Sequence, residues 1–222
     1  MTAQKDKEKQ AAAKVAAGMI KDGQVVGLGT GSTAEFVIRE IALRGLRITG
    51  VPTSVRTARL AVTLGIPLAD INSVEAIDIT IDGADEFTPE LYLLKGGGGA
   101  FLREKIVAER TLREIIIADS SKLVAQLGAF RLPIEVIPFA QRYVEQQLEK
   151  LGASCLLREG FVTDEGNRVL DADFGLIGDP AALALELNNI TGLVAHGLFI
   201  NLADTVIMGK GAEIVRFNRH GS

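Results

Sequence analysis

The residues best placed to do chemistry fall in four short clusters. Asp82-Gly83-Ala84-Asp85-Glu86 crowds its carboxylates directly behind the apolar run Ile77–Ile81. That is the C-terminal end of a predicted strand, where open α/β sheets bind ligands. Crowded acids raise one another's pKa, which lets them divide proton donor and acceptor roles. A solvated acidic turn, or a Mg²⁺ site, would use the same residue types.

Lys95-Gly96-Gly97-Gly98-Gly99 comes next, and its consecutive glycines let backbone approach a ligand closely while offering several N–H donors in a small volume. An oxyanion is the natural guest. Glycine runs also serve as linkers, but Leu93-Leu94 before it and Ala100-Phe101-Leu102 after it argue against a solvated linker here. Arg103-Glu104-Lys105 then opens a helix expected from about Ala100 to Arg110. A glutamate in a first turn either complements the helix dipole or, facing a cleft, acts as a base.

Gly27-Leu28-Gly29-Thr30-Gly31-Ser32-Thr33 lies between a strand and a helix, where backbone N–H groups and the helix dipole favour an anion such as phosphate. No lysine follows the glycines, so this is not a Walker loop. A dinucleotide fingerprint would need an acid about twenty residues on, where Ile48-Thr49-Gly50-Val51 stands instead. A plain glycine turn with hydroxyl caps fits the same residues. In the fourth cluster, Asp119-Ser120-Ser121-Lys122, the lysine either reaches an anion or is an ordinary surface lysine.

Elements that position these clusters can be read from periodicity. Gln10 to Ile20 predicts a helix, Val25–Leu28 a short buried strand, and Phe36, Val37 and Ile41 mark the next helix. Arg47–Val51, Ile77–Ile81 and Glu114–Ala118 predict further strands, and Ser54 is a good N-cap for a helix reaching Leu64. Strands alternating with helices imply a mostly parallel sheet. Three of the clusters follow its strands, which gathers them at one sheet edge, and the glycine run with Glu104 is expected to face the same cleft. From Pro133 the pattern changes to a strand at Ile134–Ile137, a helix at Gln141–Leu151, a hairpin signal at Thr163–Asn167, a helix at Pro180–Leu187 and a strand at Leu193–Ile200. This reads as βαββαβ. The fold expected is therefore α/β: a Rossmann-like, mostly parallel sheet domain (1–131 and 204–222, with a returning strand at Thr205–Met208), carrying an inserted ferredoxin-like α+β small domain (132–203).

Composition narrows the partners. Of 222 residues, 47% are hydrophobic and the formal charge is -4, which withholds the general attraction a nucleic-acid binder has for phosphate backbones. The single cysteine, Cys155, excludes an intrachain disulfide and a multi-cysteine zinc cluster, and it suits a reducing cytoplasm. Apolar stretches such as Ile115–Ala118 and Gly197–Ile200 are far short of the ~20 residues that span a bilayer, and the charged N-terminus carries no secretion-signal pattern. A metal cage would have to draw on His196 and His220, and His196 lies in an apolar strand pattern that suits a structural role.

The order and spacing of these clusters resemble the signature of the ribose-5-phosphate isomerase A family. The likeness extends through Ala118–Lys122, Leu132–Pro138 and Val162–Asn167. It implies an enzyme that interconverts D-ribose 5-phosphate and D-ribulose 5-phosphate in the non-oxidative pentose phosphate pathway. Neither metal nor organic cofactor is implied, and the enzyme would be a cytoplasmic homodimer or homotetramer. By resemblance Glu104 is the general base, and Asp82, Asp85 and Lys95 complete the catalytic set. Thr30, Gly31, Ser32, Thr33, Gly83, Ala84, Gly96, Gly97, Gly98 and Lys122 join Asp82, Asp85 and Lys95 in holding substrate. Any role for Lys9 is left open. The residue types suit that chemistry, since moving a proton between adjacent carbons needs a carboxylate base, oxyanion donors and an acid for ring opening, the last expected of Asp82.

Two other classes compete. A non-catalytic sugar-phosphate sensor would lack the base and would carry a helix-turn-helix, whereas residues 1–20 read as one helix. An amino-sugar-phosphate isomerase/deaminase or an acyl-CoA transferase on a related fold is separated by an assay with ribose 5-phosphate.

Overall fold

The computed structural model describes residues 2–219. In chain order the elements are α1 (Thr2–Ala17), β1 (Val25–Leu28), α2 (Ser32–Leu43), β2 (Thr49–Pro52), α3 (Val55–Thr63), β3 (Ile79–Gly83), β4 (Glu86–Phe87), β5 (Leu93–Leu94), α4 (Phe101–Glu109) and β6 (Glu114–Asp119). There follow β7 (Leu132–Val136), α5 (Gln141–Lys150), β8 (Ser154–Leu157), β9 (Arg168–Asp173), α6 (Pro180–Asn188), β10 (Leu193–His196), β11 (Leu198–Phe199), β12 (Thr205–Lys210) and β13 (Glu213–Asn218).

The main sheet has the order β13-β12-β6-β3-β1-β2, parallel throughout except for the β12–β13 pair at its edge. Its inner strands are largely apolar because both faces are covered, and β6 is buried at every position, Glu114 and Asp119 included. In β6, Ile115 and Ile117 pack with Ala12, Ala13, Ala16 and Ala17 of α1 and with Val37 and Ile41 of α2. Ile116 and Ala118 point the other way, into a cluster with Phe101 and Ala108 of α4. That alternation is the period of an extended strand. The alanines matter to α1, since small side chains let the helix lie close against the sheet.

A second sheet, β10-β7-β9-β8, is antiparallel throughout and is covered by α5 and α6, with Leu132, Ile134, Val136, Leu170 and Ala172 against Val144, Leu148, Ala184 and Leu187. In chain order this is 4-1-3-2, the ferredoxin-like arrangement of a βαββαβ unit. The overall fold is thus a mostly parallel α/β sheet joined to an antiparallel α+β unit, as the alternation of elements predicts.

Some local expectations change. The strand predicted over Leu193–Ile200 breaks at Gly197, whose N–H donates to Pro133 O (2.8 Å) and whose carbonyl accepts from Lys95 N (2.8 Å). Beyond the break, β11 leaves the small sheet and joins a three-stranded sheet, β11-β5-β4, that sequence periodicity does not reveal because two-residue strands have none. Helix α1 starts at Thr2, well before Gln10. Asp82 and Gly83 lie within β3, paired with Ile116 and Ile117 of β6, and do not follow the strand. His220 lies outside the described residues.

Candidate active site

Parallel register places the loops that matter side by side. Leu28 is level with Ile81, and Gly83 with Ile117, so β1, β3 and β6 end at the same edge of the sheet. The Gly29–Thr33 loop, the Ala84–Asp85 turn and the turn Ser120–Lys122 therefore emerge together. The three-stranded sheet lies alongside and delivers Lys95 and the glycine run, after which α4 starts and carries Glu104. A cavity of about 360 Å³ opens between them, lined by Thr30, Gly31, Ser32, Thr33, Gly83, Ala84, Asp85, Lys95, Gly96, Gly97, Gly98, Glu104 and Lys122, and also by Lys9 and Arg56.

The charged centre of this site is nearly dry: Asp82, Lys95 and Glu104 are 1%, 3% and 6% exposed. Lys95 Nζ lies 3.0 Å from Asp82 Oδ2 and 3.1 Å from Glu104 Oε2, and it donates to Gly83 O. Burial pulls the ammonium toward neutrality, but the two carboxylates outweigh that pull and hold Lys95 above the usual lysine range. Burial, followed by the Asp82 charge, pushes Glu104 up to about 8 against the opposing attraction of Lys95. A carboxyl so tuned can take and return a proton near neutral pH, which an ordinary glutamate does poorly.

The remaining predicted residues divide between floor and walls. Asp82 Oδ1 accepts from Gly83 N (2.7 Å) and Thr30 N (3.2 Å), and the side chain stands behind Lys95, outside the cavity lining. Asp82 and Asp85 are both expected at the substrate; burial in β3 sets Asp82 behind Lys95, and of the two Asp85 lines the cavity. Asp85 accepts from Gly97 N at 2.7 Å. Gly29 is required by the close approach of Asp82, since a Cβ there would meet Oδ1 at 2.2 Å. Gly96 has φ +111, a backbone conformation that disfavours any side chain, and a Cβ would press on the Phe101 ring. Thr30 Oγ1 is held by Thr53 Oγ1 and Ser54 Oγ (2.8 Å each), so the N-cap of α3 also braces the first loop. The acid turn considered as a Mg²⁺ site faces a cation that the chain itself supplies, Lys95.

Basic residues ring the other end. Lys9 Nζ reaches Ser32 Oγ (3.3 Å), and Arg56 pairs with Glu35 at the mouth. Glu8 explains how Lys9 arrives there: its Oε2 accepts from Ser120 N (3.0 Å) and Oγ (2.8 Å), and its Oε1 accepts from Gly211 N (2.8 Å). These bonds hold the Glu8 carboxyl down at about 2 and pin α1 to the turn that carries Lys122. Sequence reading missed Glu8 and Arg56 because both look like ordinary helix-surface charges. The Ser54 cap offered the one signal, since it places Arg56 in a first turn beside the glycine loop.

His196 lies apart from this site. It is buried, its Nε2 lies 3.1 Å from Asn188 Oδ1, and burial and then the Lys105 ammonium hold it down to about 3, so it is neutral. Among the described residues no helix is long and apolar enough to cross a membrane.

Comparison with known proteins places this geometry. The family model described as ribose 5-phosphate isomerase A (phosphoriboisomerase A) matches residues 49–213. A ribose-5-phosphate isomerase A of Ruegeria sp. (strain TM1040) is 52% identical over 221 residues, covering 93% of this chain and 84% of that one. The protein of the same name from Agrobacterium fabrum is 51% identical over 220 residues, covering 92% and 95%. Among solved structures, a D-ribose-5-phosphate isomerase in complex with phospho-erythronic acid superposes with a TM-score of 0.94 at 40% identity, covering 97% of this chain and 99% of that one. The ribose 5 phosphate isomerase A of Neisseria gonorrhoeae also gives 0.94, at 36% identity with 97% of each chain covered. Matched along most of its length by the family model and by relatives about half identical to it, the chain belongs to the ribose 5-phosphate isomerase A family.

Proposed function

We propose that this protein interconverts D-ribose 5-phosphate and D-ribulose 5-phosphate by proton transfer through an enediolate. The observation that carries the reading is the buried Glu104 carboxyl, raised to about 8, held against Lys95 in the same cavity that the Thr30–Thr33 loop lines.

Substrate phosphate is held by the Gly31–Thr33 amides at the start of α2, the Ser32 and Thr33 hydroxyls, and the ammonium groups of Lys9 and Lys122. That leaves the sugar to extend toward the glycine run. Glu104 removes the proton from C2 of the open-chain aldose, and the electron pair moves onto the C1 carbonyl oxygen. Lys95 and the glycine amides stabilise that oxyanion. The proton on O2 passes to O1, and Glu104 returns its own proton to C1, which leaves the ketone at C2. No atom is gained or lost. Ring opening suits Asp85, which lines the cavity, with Asp82 setting the charge and position of Lys95 from behind.

The antiparallel unit within 132–203 carries none of these groups, and we assign it to bracing the glycine run and to assembly. The working form proposed is a cytoplasmic homodimer or homotetramer, which sedimentation would test. The test of the activity is a coupled assay with ribose 5-phosphate in the presence of EDTA, together with proton exchange into solvent deuterium. Turnover with exchange supports the reading, and inert ribose 5-phosphate would sink it.

A further inference from the structure

Arg158 follows β8 and belongs to the antiparallel unit, yet its guanidinium reaches across to the back of the glycine run. Its Nη1 donates to Gly96 O (3.1 Å) and to Gly97 O (3.3 Å). Asp171 of β9 holds the other side of the guanidinium in a two-pronged pair, Nε to Oδ2 at 2.9 Å and Nη2 to Oδ1 at 2.5 Å. The Phe161 ring lies 5.4 Å away beneath it, and Arg158 N is bonded to Val169 O (2.9 Å). The arginine is therefore fixed at its backbone, its head and its face.

A trans peptide points its N–H opposite to its C=O. With the Gly96 carbonyl turned to Arg158, the Gly97 N–H faces Asp85, as its 2.7 Å bond shows. With the Gly97 carbonyl turned the same way, the Gly98 N–H faces the cavity, and among the described residues no acceptor takes it. A cation on a carbonyl also strengthens the N–H of the same peptide as a donor, because the hydrogen bonds polarise one another. Glycines have no side chain with which to hold an orientation of their own, so the peptide direction must be imposed from outside.

We propose that Arg158, braced by Asp171, is a positioning residue for isomerisation: it turns and polarises the Gly97–Gly98 peptide so that the Gly98 N–H meets the enediolate oxygen. This rests on the enediolate reading above. It gives the antiparallel unit a part in the chemistry without touching substrate.

The experiment compares wild type, Arg158→Ala and Arg158→Lys in the full chain. Wild type is assayed first: if it fails to turn over ribose 5-phosphate, the enediolate reading falls and the inference with it. Given an active wild type, Arg158→Ala should lower kcat about tenfold to a hundredfold, less than the roughly 10²–10³-fold loss when an oxyanion donor is deleted outright. KM should stay within about threefold. Inhibition by phospho-erythronic acid, whose carboxylate presents two oxygens on a trigonal carbon, should weaken in parallel with kcat, while inhibition by inorganic phosphate stays unchanged. Arg158→Lys, and millimolar guanidinium ion added to Arg158→Ala, should each restore part of kcat. A folded Arg158→Ala enzyme with kcat within twofold of wild type would overturn the inference alone, as would equal weakening of both inhibitors. If Arg158→Ala does not fold, Asp171→Asn keeps the guanidinium but loosens it. A several-fold fall in its kcat with phosphate inhibition intact supports the proposal, and an unchanged kcat refutes it.

Discussion

Lys95 Nζ stands 3.1 Å from Glu104 Oε2, and the two side chains are buried together with Asp82 on the far side of the ammonium. One cation thus faces two carboxylates in a space that water barely reaches. Full ionisation of both acids is costly there, and the balance falls on Glu104, whose proton is held to about 8. The same contact that keeps the lysine charged keeps the glutamate exchangeable.

Replacing Glu104 by Gln preserves size and most hydrogen bonding but removes basicity. We expect kcat to fall by roughly 10²–10⁴-fold with little change in KM, as for loss of a positioned acid–base group. Exchange of the transferable carbon-bound proton with solvent deuterium should fall in step. An enzyme within a few-fold of wild type would reduce Glu104 to a helix-dipole partner and move the search for the base to Asp85.

The pH profile tests the coupling. A base must be deprotonated to act, so kcat/KM should rise with pH through the titration of Glu104, above the usual carboxylate range. Asp82→Asn removes a charge that raises Glu104 and leaves the whole of Lys95 to attract it. Both changes act in one direction, and the rising limb should move to lower pH. A limb that stays in place would show that Asp82 does not govern Glu104.

Ser32→Ala, Lys122→Ala and Lys9→Ala should mainly raise KM, because contacts to a phosphate far from the reacting carbons bind ground state and transition state alike. Steady-state kinetics decides the matter. A large fall in kcat at constant KM would remove these residues from the phosphate end.

Glu8 links α1 to the Lys122 turn and to Gly211, and its carboxyl sits at about 2 where 4.5 is ordinary. A depressed acid contributes stability above its unfolded pKa and loses it as pH falls through the folded one. Glu8→Gln should therefore cost roughly 1.5–3 kcal/mol at pH 7, the range for hydrogen bonds to a charged group. The gap from wild type should narrow as pH drops from 4.5 toward 2. Thermal or urea denaturation across that range measures it, and equal stability at pH 7 would show that α1 is held by its alanines alone.

Much of this was legible in the chain itself. Buried runs such as Glu114–Ala118 announce strands because parallel sheets cover both faces, and the glycine loop after Val25–Leu28 announces the strand-to-helix turn that leads into α2. Resemblance of the ordered motifs to a known family pointed to Asp82, Lys95 and Glu104, which the fold brings together as the charged centre. Tertiary structure decided how they are used. Pairing with β6 drew Asp82 into a strand and behind Lys95, which left Asp85 in the cavity. Two-residue strands β4, β5 and β11 carry no period, and only the contact of distant segments forms them. Arg158 and Glu8 look like surface charges in sequence, since an ionised side chain reveals nothing of its partner until folding fixes the distance. Sequence determined which groups were present. Folding alone removed the water between them, and with it the screening that would have left Glu104 an ordinary carboxylate.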